Sequence, residues 1–352
     1  MNLQAPVTHF LPSAAIRRER RLPSPGRVLI RAGQKVASSD ILAETNLNPE
    51  YQLLDIPHIL GISIQKADRI LLCKPGDRIT QGDLIAGPIG ISKKVVRAKS
   101  DSRVILVGDG QVLLETIKSP FQLKAGYPGR VVELIPDRGA VIETDGSLIQ
   151  AVWGNNQQDS GILMMLAKQP DHLFSPEDLD ISLRGVVVAA GHCREAEALR
   201  KAEEAPLRGI ILGSMDVDLL PIAKNLQIPI LLTEGFGCFP MNPIAHKLLM
   251  VNERREVAVI AQPWDPYAGS RPEIVIPQTA SGQPIQANEI ASFNAGKQVR
   301  ILHPPNKGKL GTLLSLKNKE IFPGGYPVLA TEIQLQDGSI TWVPAANLEI
   351  LQ

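Results

Sequence analysis

The chain has 352 residues, 44% of them hydrophobic, so it exceeds what one hydrophobic core usually serves and we expect two or three domains. Lysines and arginines number 37 and aspartates and glutamates 36, so the chain as a whole has no electrostatic attraction to nucleic acid or to an anionic membrane. Aromatic residues make up 4%, which argues against an extensive base-stacking platform for single-stranded nucleic acid.

The cysteines and the N-terminal sequence indicate a compartment. Cys73, Cys193 and Cys238 are widely spaced and odd in number, which fits a reducing environment and indicates neither a disulfide framework nor a zinc cluster. The first segment lacks the apolar region of a signal peptide, and no stretch reaches the ~20 apolar residues that span a bilayer. We therefore expect a cytoplasmic protein with no membrane contact and no metal site.

An internal repeat follows residues 1–24, which we interpret as an N-terminal extension. Residues 27–43 (RVLIRAGQKVASSDILA) and 69–86 (RILLCKPGDRITQGDLIA) match with one inserted residue. Each copy has an apolar run, a glycine turn and a second apolar strand that starts at an aspartate. We expect the two copies to pack their apolar faces together in a small sandwich. This β domain is assigned to residues 25–165, with a helical insert and an extra hairpin at 129–144.

The strand, the Pro-Gly-Asp turn and the GDLIA sequence resemble the lipoyl/biotinyl, or barrel-sandwich hybrid, family over roughly residues 25–115. Carrier members of that family have a modified lysine seven residues before the alanine that begins the second half. Counting back from Ala98 gives Ile91, whereas Lys93 and Lys94 are out of register. The resemblance therefore implies a non-carrier sandwich, and we expect no cofactor.

Residues 180–262 predict an α/β domain. Apolar strands at 185–190, 210–212, 228–232 and 257–261 alternate with helical segments at 194–204, 216–226 and 243–251. This alternation is typical of a parallel sheet covered on both faces, and ligands bind such sheets at the carboxyl ends of the strands. The polar side chains expected at that edge are His192, Cys193, Ser214, Asp216, Thr233, Glu234 and Asn242.

The neighbouring His192 and Cys193 raise the question of a nucleophilic site. Such a site needs a base within hydrogen-bond reach of the thiol, but adjacent residues on a continuing strand point to opposite sides. The glycine loops that hold nucleotide phosphates, G-x-G-x-x-G after a strand and G-x-x-x-x-G-K-[ST], are missing from the sequence. No catalytic residue is assigned, and an enzyme is the less favoured interpretation.

The C-terminal part follows a proline-rich segment, residues 263–294, which we interpret as a linker. In residues 295–352, alternating apolar residues precede an Asn-Lys-Gly turn, and Asp337-Gly338 predicts a last hairpin. This pattern resembles the KOW motif of SH3-like barrels, with Pro304-Pro305 in place of the first glycine. The resemblance implies contact with RNA or a protein partner. The candidate contacts are Lys297, Arg300, Lys307 and Lys309.

The sequence thus predicts a multidomain protein: an all-β barrel-sandwich hybrid, a central α/β parallel-sheet domain and a C-terminal SH3-like β-barrel. Our leading hypothesis is a non-catalytic, multi-module binding or scaffold protein that docks a cytoplasmic macromolecular assembly through a protein partner. Two alternatives stay open. One is an RNA- or transcription/translation-associated protein acting through the barrel, and the other is an enzyme or small-molecule binder at the strand ends. The oligomeric state is not predicted.

Overall fold

The computed structural model describes residues 4–47, 50–90, 93–117, 120–166, 168–265, 270–278, 285–286, 290–322 and 324–352. Half of the structure is strand and 15% is helix. The strands form several sheets, so the fold is multidomain and rich in β-structure. Within the described residues, none of the helices combines the length and the apolar composition that crossing a bilayer requires.

Strands outnumber helices in every part of the chain. The first part contains β1 Gln4–Thr8, β2 Phe10–Arg21, β3 Arg27–Val28, β4 Lys35–Val36, β5 Ile41–Thr45, β6 Glu50–Asp55, α1 Ile56–Leu60, α2 Ile64–Ile70, β7 Arg78–Ile79, β8 Leu84–Ile89, β9 Lys94–Arg97, β10 Ser102–Gly108, β11 Gln111–Thr116 and β12 Phe121–Lys124. The middle part contains β13 Gly129–Ile135, β14 Gly139–Gln150, β15 Trp153–Gly154, β16 Gln158–Met165, β17 Leu173–Phe174, β18 Val186–Cys193, α3 Ala196–Glu204, β19 Gly209–Met215, α4 Leu220–Asn225, β20 Ile230–Phe236, α5 Pro243–Val251, β21 Glu256–Ile260 and β22 Glu273–Pro277. The last part contains β23 Ile285–Gln286, β24 Ile290–Ser292, β25 Gln298–Ile301, β26 Leu310–Ile321, β27 Pro327–Leu335, β28 Ile340–Pro344 and β29 Leu348–Leu351.

The hairpins expected from turn residues are present. Strands β10 and β11, β13 and β14, and β27 and β28 pair antiparallel. In the first hairpin Asp109 and Gly110 have φ values of 51° and 72°. Positive φ at both turn residues matches the twist of the flanking strands, which is why Asp-Gly is a strong hairpin signal.

The two copies of the repeat contain the same kind of turn. The Asp40 carboxylate accepts a hydrogen bond from the Ala37 amide at 2.9 Å, and Asp83 accepts one from the Thr80 amide at 2.8 Å. A side chain that accepts from the amide three residues earlier fixes the turn locally, so the same geometry recurs in both copies.

The expected packing of the two copies against each other is not found. Ile30 and Leu42 of the first copy join a core with the central sheet, whereas Ile85 of the second copy joins a separate core with α1 and α2. The first copy packs apart from the second because β4 pairs with β13 and β5 pairs with β12. Ile91, the carrier position, lies outside the described residues, and Lys94 begins β9.

The middle of the chain forms a large mixed sheet. Strands β16, β18, β19 and β20 lie side by side in parallel, and β21 pairs antiparallel with β16. Every residue of β19 is buried, because helices α3 and α4 cover one face of the sheet and α5 the other. The carboxyl ends of β18, β19 and β20 therefore meet at one edge.

Two segments outside the expected domains are integral to the sheets. In the expected linker, β22 pairs with β14 and β21, and Ile274, Val275 and Ile276 are fully buried. The apolar run at these positions favours a buried strand in spite of the surrounding prolines. Residues 266–269, 279–284 and 287–289 of the expected linker lie outside the described residues. In the expected N-terminal extension, β2 pairs along the length of β14.

The C-terminal sheet is completed by the start of the chain. Its order is β24-β1-β29-β25-β26-β27-β28, and β1 pairs in parallel with β29. Its core includes Val7 of β1 together with Val299, Leu313, Ile333 and Ile350. We call the unit formed by β1 and β24–β29 the C-terminal module.

Candidate functional site

The three parallel strands place His192, Ser214 and Gly235 in adjacent register. His192 is 4% exposed and Ser214 is fully buried. The side chains of His192 and Ser214 lie together at the strand ends. Their hydrogen-bond partners determine what chemistry they can perform.

The Ser214 hydroxyl both donates and accepts a hydrogen bond with the loop that follows β20. Its Oγ donates to the carbonyl of Phe239 at 2.6 Å and accepts from the Phe239 amide at 3.0 Å. A hydroxyl has one proton, so the Nδ1 of His192, at 2.8 Å, must be protonated and donate to Oγ. His192 therefore does not act as a base toward Ser214, and the serine is not an activated nucleophile.

The other ring nitrogen of His192 faces a carboxylate. Nε2 lies 3.2 Å from Oδ1 of Asp216, whose second oxygen is 3.9 Å from the Nε of Arg194. Burial lowers the pKa of His192, and the Asp216 charge opposes that effect. Because the Asp216 side chain is 40% exposed, its charge is screened by water, which limits how far it offsets the burial.

Cys193 is part of the core under α3. Its side chain is fully buried, and its thiol contacts the carbonyl of Glu195 at 3.6 Å. Burial raises the pKa of the Cys193 thiol to about 12. Since the thiolate is the reactive form, this cysteine is an inert structural residue.

Arg300 lies between the central sheet and the C-terminal module. Its side chain is 3% exposed, with Nη2 3.0 Å from Oε2 of Glu234 and Nη1 3.0 Å from Oε1 of Glu349. Nη1 also donates to the carbonyl of Thr233 at 3.1 Å. The guanidinium was a candidate contact for RNA or a protein partner, but it is buried and paired with oxygens of this chain. The reason is geometric: Val299 and Ile301 face the module core, so Arg300 points from the opposite face, which the central sheet covers.

The ion pairs extend beyond Arg300. Oε2 of Glu349 accepts from the Thr8 hydroxyl at 2.9 Å and lies 3.6 Å from Nη2 of Arg271. Arg271 in turn packs over the ring of Trp264, 4.8 Å from its centroid. Two carboxylates and two guanidiniums therefore alternate across the junction, which keeps the buried charges compensated.

Glu234 and Asn242 fix the loop on the other side. Oε1 of Glu234 accepts from the Asn242 amide at 3.1 Å, and Oδ1 of Asn242 caps α5 by accepting from the Ile244 amide at 2.8 Å. Burial raises the pKa of Glu234, while Arg300 opposes the shift. The side-chain Nδ2 of Asn242 is buried and has no hydrogen-bond partner among the described residues.

Cavities open on both sides of this junction. One, of about 250 Å³, is lined by Val152, Trp153, Glu234, Gly235, Phe236, Phe239, Trp264, Arg300, Ile301, Leu302, Lys307, Gly308 and Glu349, and we call it the aromatic cleft. A second, of about 330 Å³, is lined by Pro170, Glu234, Phe239, Pro240, Met241, Asn242, Pro243, Gly308, Lys309, Leu310, Leu335, Gln336 and Asp337. A third, of about 680 Å³, adjoins the aromatic cleft and shares Val152, Trp153 and Trp264 with it.

Phe239 lines the first two cavities and packs against glycine. A Cβ added at Gly308 would lie 2.9 Å from the Phe239 ring, and one added at Gly237 would lie 2.5 Å from it. Gly308 belongs to the Asn-Lys-Gly turn. Because this residue has no side chain, the turn can approach the Phe239 ring, which belongs to the loop that follows β20. Lys307 and Lys309 are exposed beside the cavities, whereas Lys297 is half-buried and lines none of the three.

Sequence reasoning missed several residues of the junction. Glu349 could have been identified from the sequence, since a carboxylate inside the apolar strand Leu348–Leu351 needs a buried partner. Trp153, Trp264 and Arg271 had none, because their importance arises only when distant segments meet.

Within the described part of the chain, no group of three or more His, Cys, Asp or Glu side chains has an arrangement that holds a metal ion. No family model matches the chain, and no curated protein is significantly similar to it.

Proposed function

We propose that this chain is a non-catalytic, multi-module binding protein that binds a small molecule in the aromatic cleft. The interpretation of residues 180–262 as an α/β domain is supported by the parallel strands β18, β19 and β20 with their covering helices. The interpretation of the C-terminal module as an SH3-like barrel is supported by the antiparallel strands β25–β29. The cleft lies where these two units meet.

The contacts that the potentially reactive side chains make within the protein support a non-catalytic role. Ser214 donates its only proton to a carbonyl, and Cys193 is a buried thiol with a raised pKa. Glu234 forms an ion pair with a buried arginine. Groups of this kind hold loops in place, and each lacks the free partner that general acid–base or nucleophilic catalysis requires.

One observation carries the binding proposal. Trp153, Phe236, Phe239 and Trp264 line the aromatic cleft together with the polar side chains of Glu234, Arg300, Lys307 and Glu349. Aromatic walls with a small number of polar groups are typical of small-molecule sites.

A thermal-shift screen tests the proposal. The wild type and Trp264→Ala are melted with separate sets of nucleosides and nucleotides, aromatic amino acids, sugars and dicarboxylates. We expect one set to raise the melting temperature of the wild type and to raise that of Trp264→Ala less. A ligand at 100 times its Kd stabilises the folded state by about 2.7 kcal/mol. Trp342→Phe is the control, because Trp342 lines none of the three cavities.

Two outcomes contradict the proposal. If no set raises the melting temperature of the wild type, the cleft is not a binding site for these classes of metabolite. If mass spectrometry of the incubated mixtures shows a product that depends on the protein, the protein is an enzyme.

A further inference from the structure

Residues 50–90 and 93–117 form a unit inserted into the first part of the chain, and we call it the inserted module. The insertion lies between β5 and β12, which pair with each other so that Thr45 lies opposite Phe121. The hydrogen bonds of the host sheet therefore bridge the point of insertion. The module has its own hydrophobic core, whose buried side chains come from residues between 54 and 114 alone.

The main sheet of the inserted module buries one face and exposes the other. Its strand order is β6-β11-β10-β7, and its inner side packs on α1, α2 and β8. The outer face carries a row of leucines, because Leu113 lies opposite Leu53 on one side and opposite Leu106 on the other. Leu53 and Leu106 are 59% and 62% exposed. Outward positions of a one-sided antiparallel sheet are normally polar, so this leucine row indicates a surface that binds another molecule.

A second row of outward side chains lies beside the leucines and carries charge. Glu115 lies opposite Tyr51 on one side and opposite Arg103 on the other, and Arg103 lies opposite Arg78. Across the four strands this row is therefore aromatic, acidic, basic and basic. We propose that the outer face binds the same face of a second copy of the chain in a two-fold symmetric dimer.

The order of side chains in both rows is complementary to itself. A two-fold axis parallel to the strands, between β11 and β10, places β11 of one copy over β10 of the other. Each row stays at its own level under this rotation, so Glu115 faces the second copy's Arg103 and Leu113 faces its Leu106. Each Glu115 then has one Arg103 beside it and another above it, and the four charges alternate in sign around the axis.

The outer strands follow the same rule. The rotation places β6 over β7, so the Tyr51 ring faces the guanidinium of the second copy's Arg78, a favourable cation–π arrangement. A two-fold axis across the strands would instead place Arg103 over Gly108 and Glu115 over Gln111, which pairs no charges. The charges therefore select the axis parallel to the strands.

The size of the face indicates a weak, reversible dimer. Strands β6 and β11 have six residues each. With about 3.4 Å per residue and about 4.8 Å between strands, the face measures roughly 20 by 19 Å. A standard interface buries about 800 Å² per partner, and this face is smaller. We therefore expect association at micromolar to millimolar concentrations of protein.

Sedimentation equilibrium of the full chain from about 1 to 500 µM tests the proposal. The average mass should rise from that of one chain towards that of two. Leu106→Lys should raise the Kd of the dimer about tenfold or more, because it places two ammonium groups in the apolar row. Leu72→Lys is the matched control. Leu72 is 57% exposed on the same module, but it lies beside β8, where its amide donates to the Ile85 carbonyl, and the change should leave the Kd unaltered.

Charge reversal tests the two-fold arrangement itself. Arg103→Glu and Glu115→Arg each place like charges face to face, so each variant alone should self-associate about tenfold or more weakly than the wild type. In an equal mixture of the two variants every facing pair again has opposite charges. The mixture should therefore associate about tenfold or more tightly than either variant alone. A structural effect within one chain does not predict this recovery, because each copy keeps its own substitution. Arg103 is exposed and Glu115 half-buried, so both variants should melt at the temperature of the wild type.

Three results in solution overturn the proposal: a mass that stays at one chain up to 500 µM or rises beyond two, a Kd that Leu106→Lys does not change, and a mixture that associates no more tightly than its components. A photoreactive residue in place of Leu106 identifies the partner in cells that produce the protein. We expect crosslinks to a second copy of the chain. Crosslinks to lipid or to a different protein alone would overturn the second copy as the partner of this face.

Discussion

Ser214 holds both backbone groups of Phe239: its Oγ donates to the Phe239 carbonyl at 2.6 Å and accepts from the Phe239 amide at 3.0 Å. Through this contact the end of β19 sets the position of the loop after β20, whose Phe239 lines the aromatic cleft and the cavity of about 330 Å³. The buried Ser214 and His192 thus hold this loop in place.

Replacing Ser214 tests that role. Ser214→Ala leaves the carbonyl and amide of Phe239 and the Nδ1 of His192 without their buried partner, so we expect a loss of about 2–3 kcal/mol in the free energy of unfolding by urea. A fluorophosphonate probe should not label the wild-type serine. Stoichiometric labelling of Ser214 would show an activated nucleophile and contradict the assignment.

The pH dependence of stability tests the burial of His192. Its folded pKa lies below the ordinary histidine value of 6.5, so between these two values the unfolded state binds more protons than the folded state. Stability should therefore fall as the pH drops below 6.5, by at most about 1.4 kcal/mol per pH unit. The difference between the wild type and His192→Gln in urea unfolding isolates this contribution. A difference that does not vary from pH 7 to about pH 5 would contradict it.

Thiol reactivity separates the three cysteines. Cys238 is exposed, whereas Cys73 and Cys193 are buried and burial raises both of their pKa values. Because thiolates are the reactive species, a disulfide reagent at pH 8 should modify one thiol per native chain, mapped to Cys238, and three after denaturation. Rapid native modification of Cys193 would disprove its structural role.

The ion pairs of Arg300 should contribute far more to stability than an exposed pair of the same type. Arg300→Met leaves the carboxylates of Glu234 and Glu349 buried without their charge partner, which costs about 3–5 kcal/mol. The matched control is Arg17→Met, whose partner Glu133 lies 3.0 Å away on the surface with both side chains about 60% exposed, and it should cost less than about 1 kcal/mol. Equal losses in urea unfolding would show that the junction is not held by Arg300.

Gly308 and Gly338 provide a matched comparison of packing at constant backbone strain. Both have a φ of 82°, but an added Cβ contacts the Phe239 ring at Gly308 and meets nothing within 4 Å at Gly338. Each alanine substitution should cost about 1–2 kcal/mol from the left-handed conformation. Gly308→Ala should cost more because of the contact, and Phe239→Ala should remove that excess in a double-mutant cycle. Equal costs in the wild-type background would rule out the Phe239 contact.

Local patterns predicted part of the fold, and long-range contacts account for what they missed. The alternation of Val299 and Ile301 predicted a strand with Arg300 on its opposite face. The neighbouring sequence does not indicate which part of the protein covers that face. Thr8 and Glu349 are 341 residues apart yet share a buried hydrogen bond. No periodicity in either segment indicates that β1 pairs with β29, so the first residues were interpreted as an extension.

Only some of the contacts at the candidate site follow from the sequence, because the others join distant segments. The parallel strands brought His192, Ser214 and Asp216 together, because their positions follow from the order of strands and helices. The partners that decide their chemistry, among them Phe239 and Arg300, come from a loop and from another module. Residue type at a strand end therefore indicated which side chains lie together, whereas their roles depend on protons and partners that only the assembled structure fixes.

The central claim is that the junction of the central sheet and the C-terminal module forms a binding site. A crystal structure of the protein with the tightest-binding compound of the thermal-shift screen tests it most directly. We predict density for the compound against Trp153 and Trp264, the two indole rings that line the aromatic cleft. An empty cleft, with the compound bound elsewhere on the molecule, would contradict the claim.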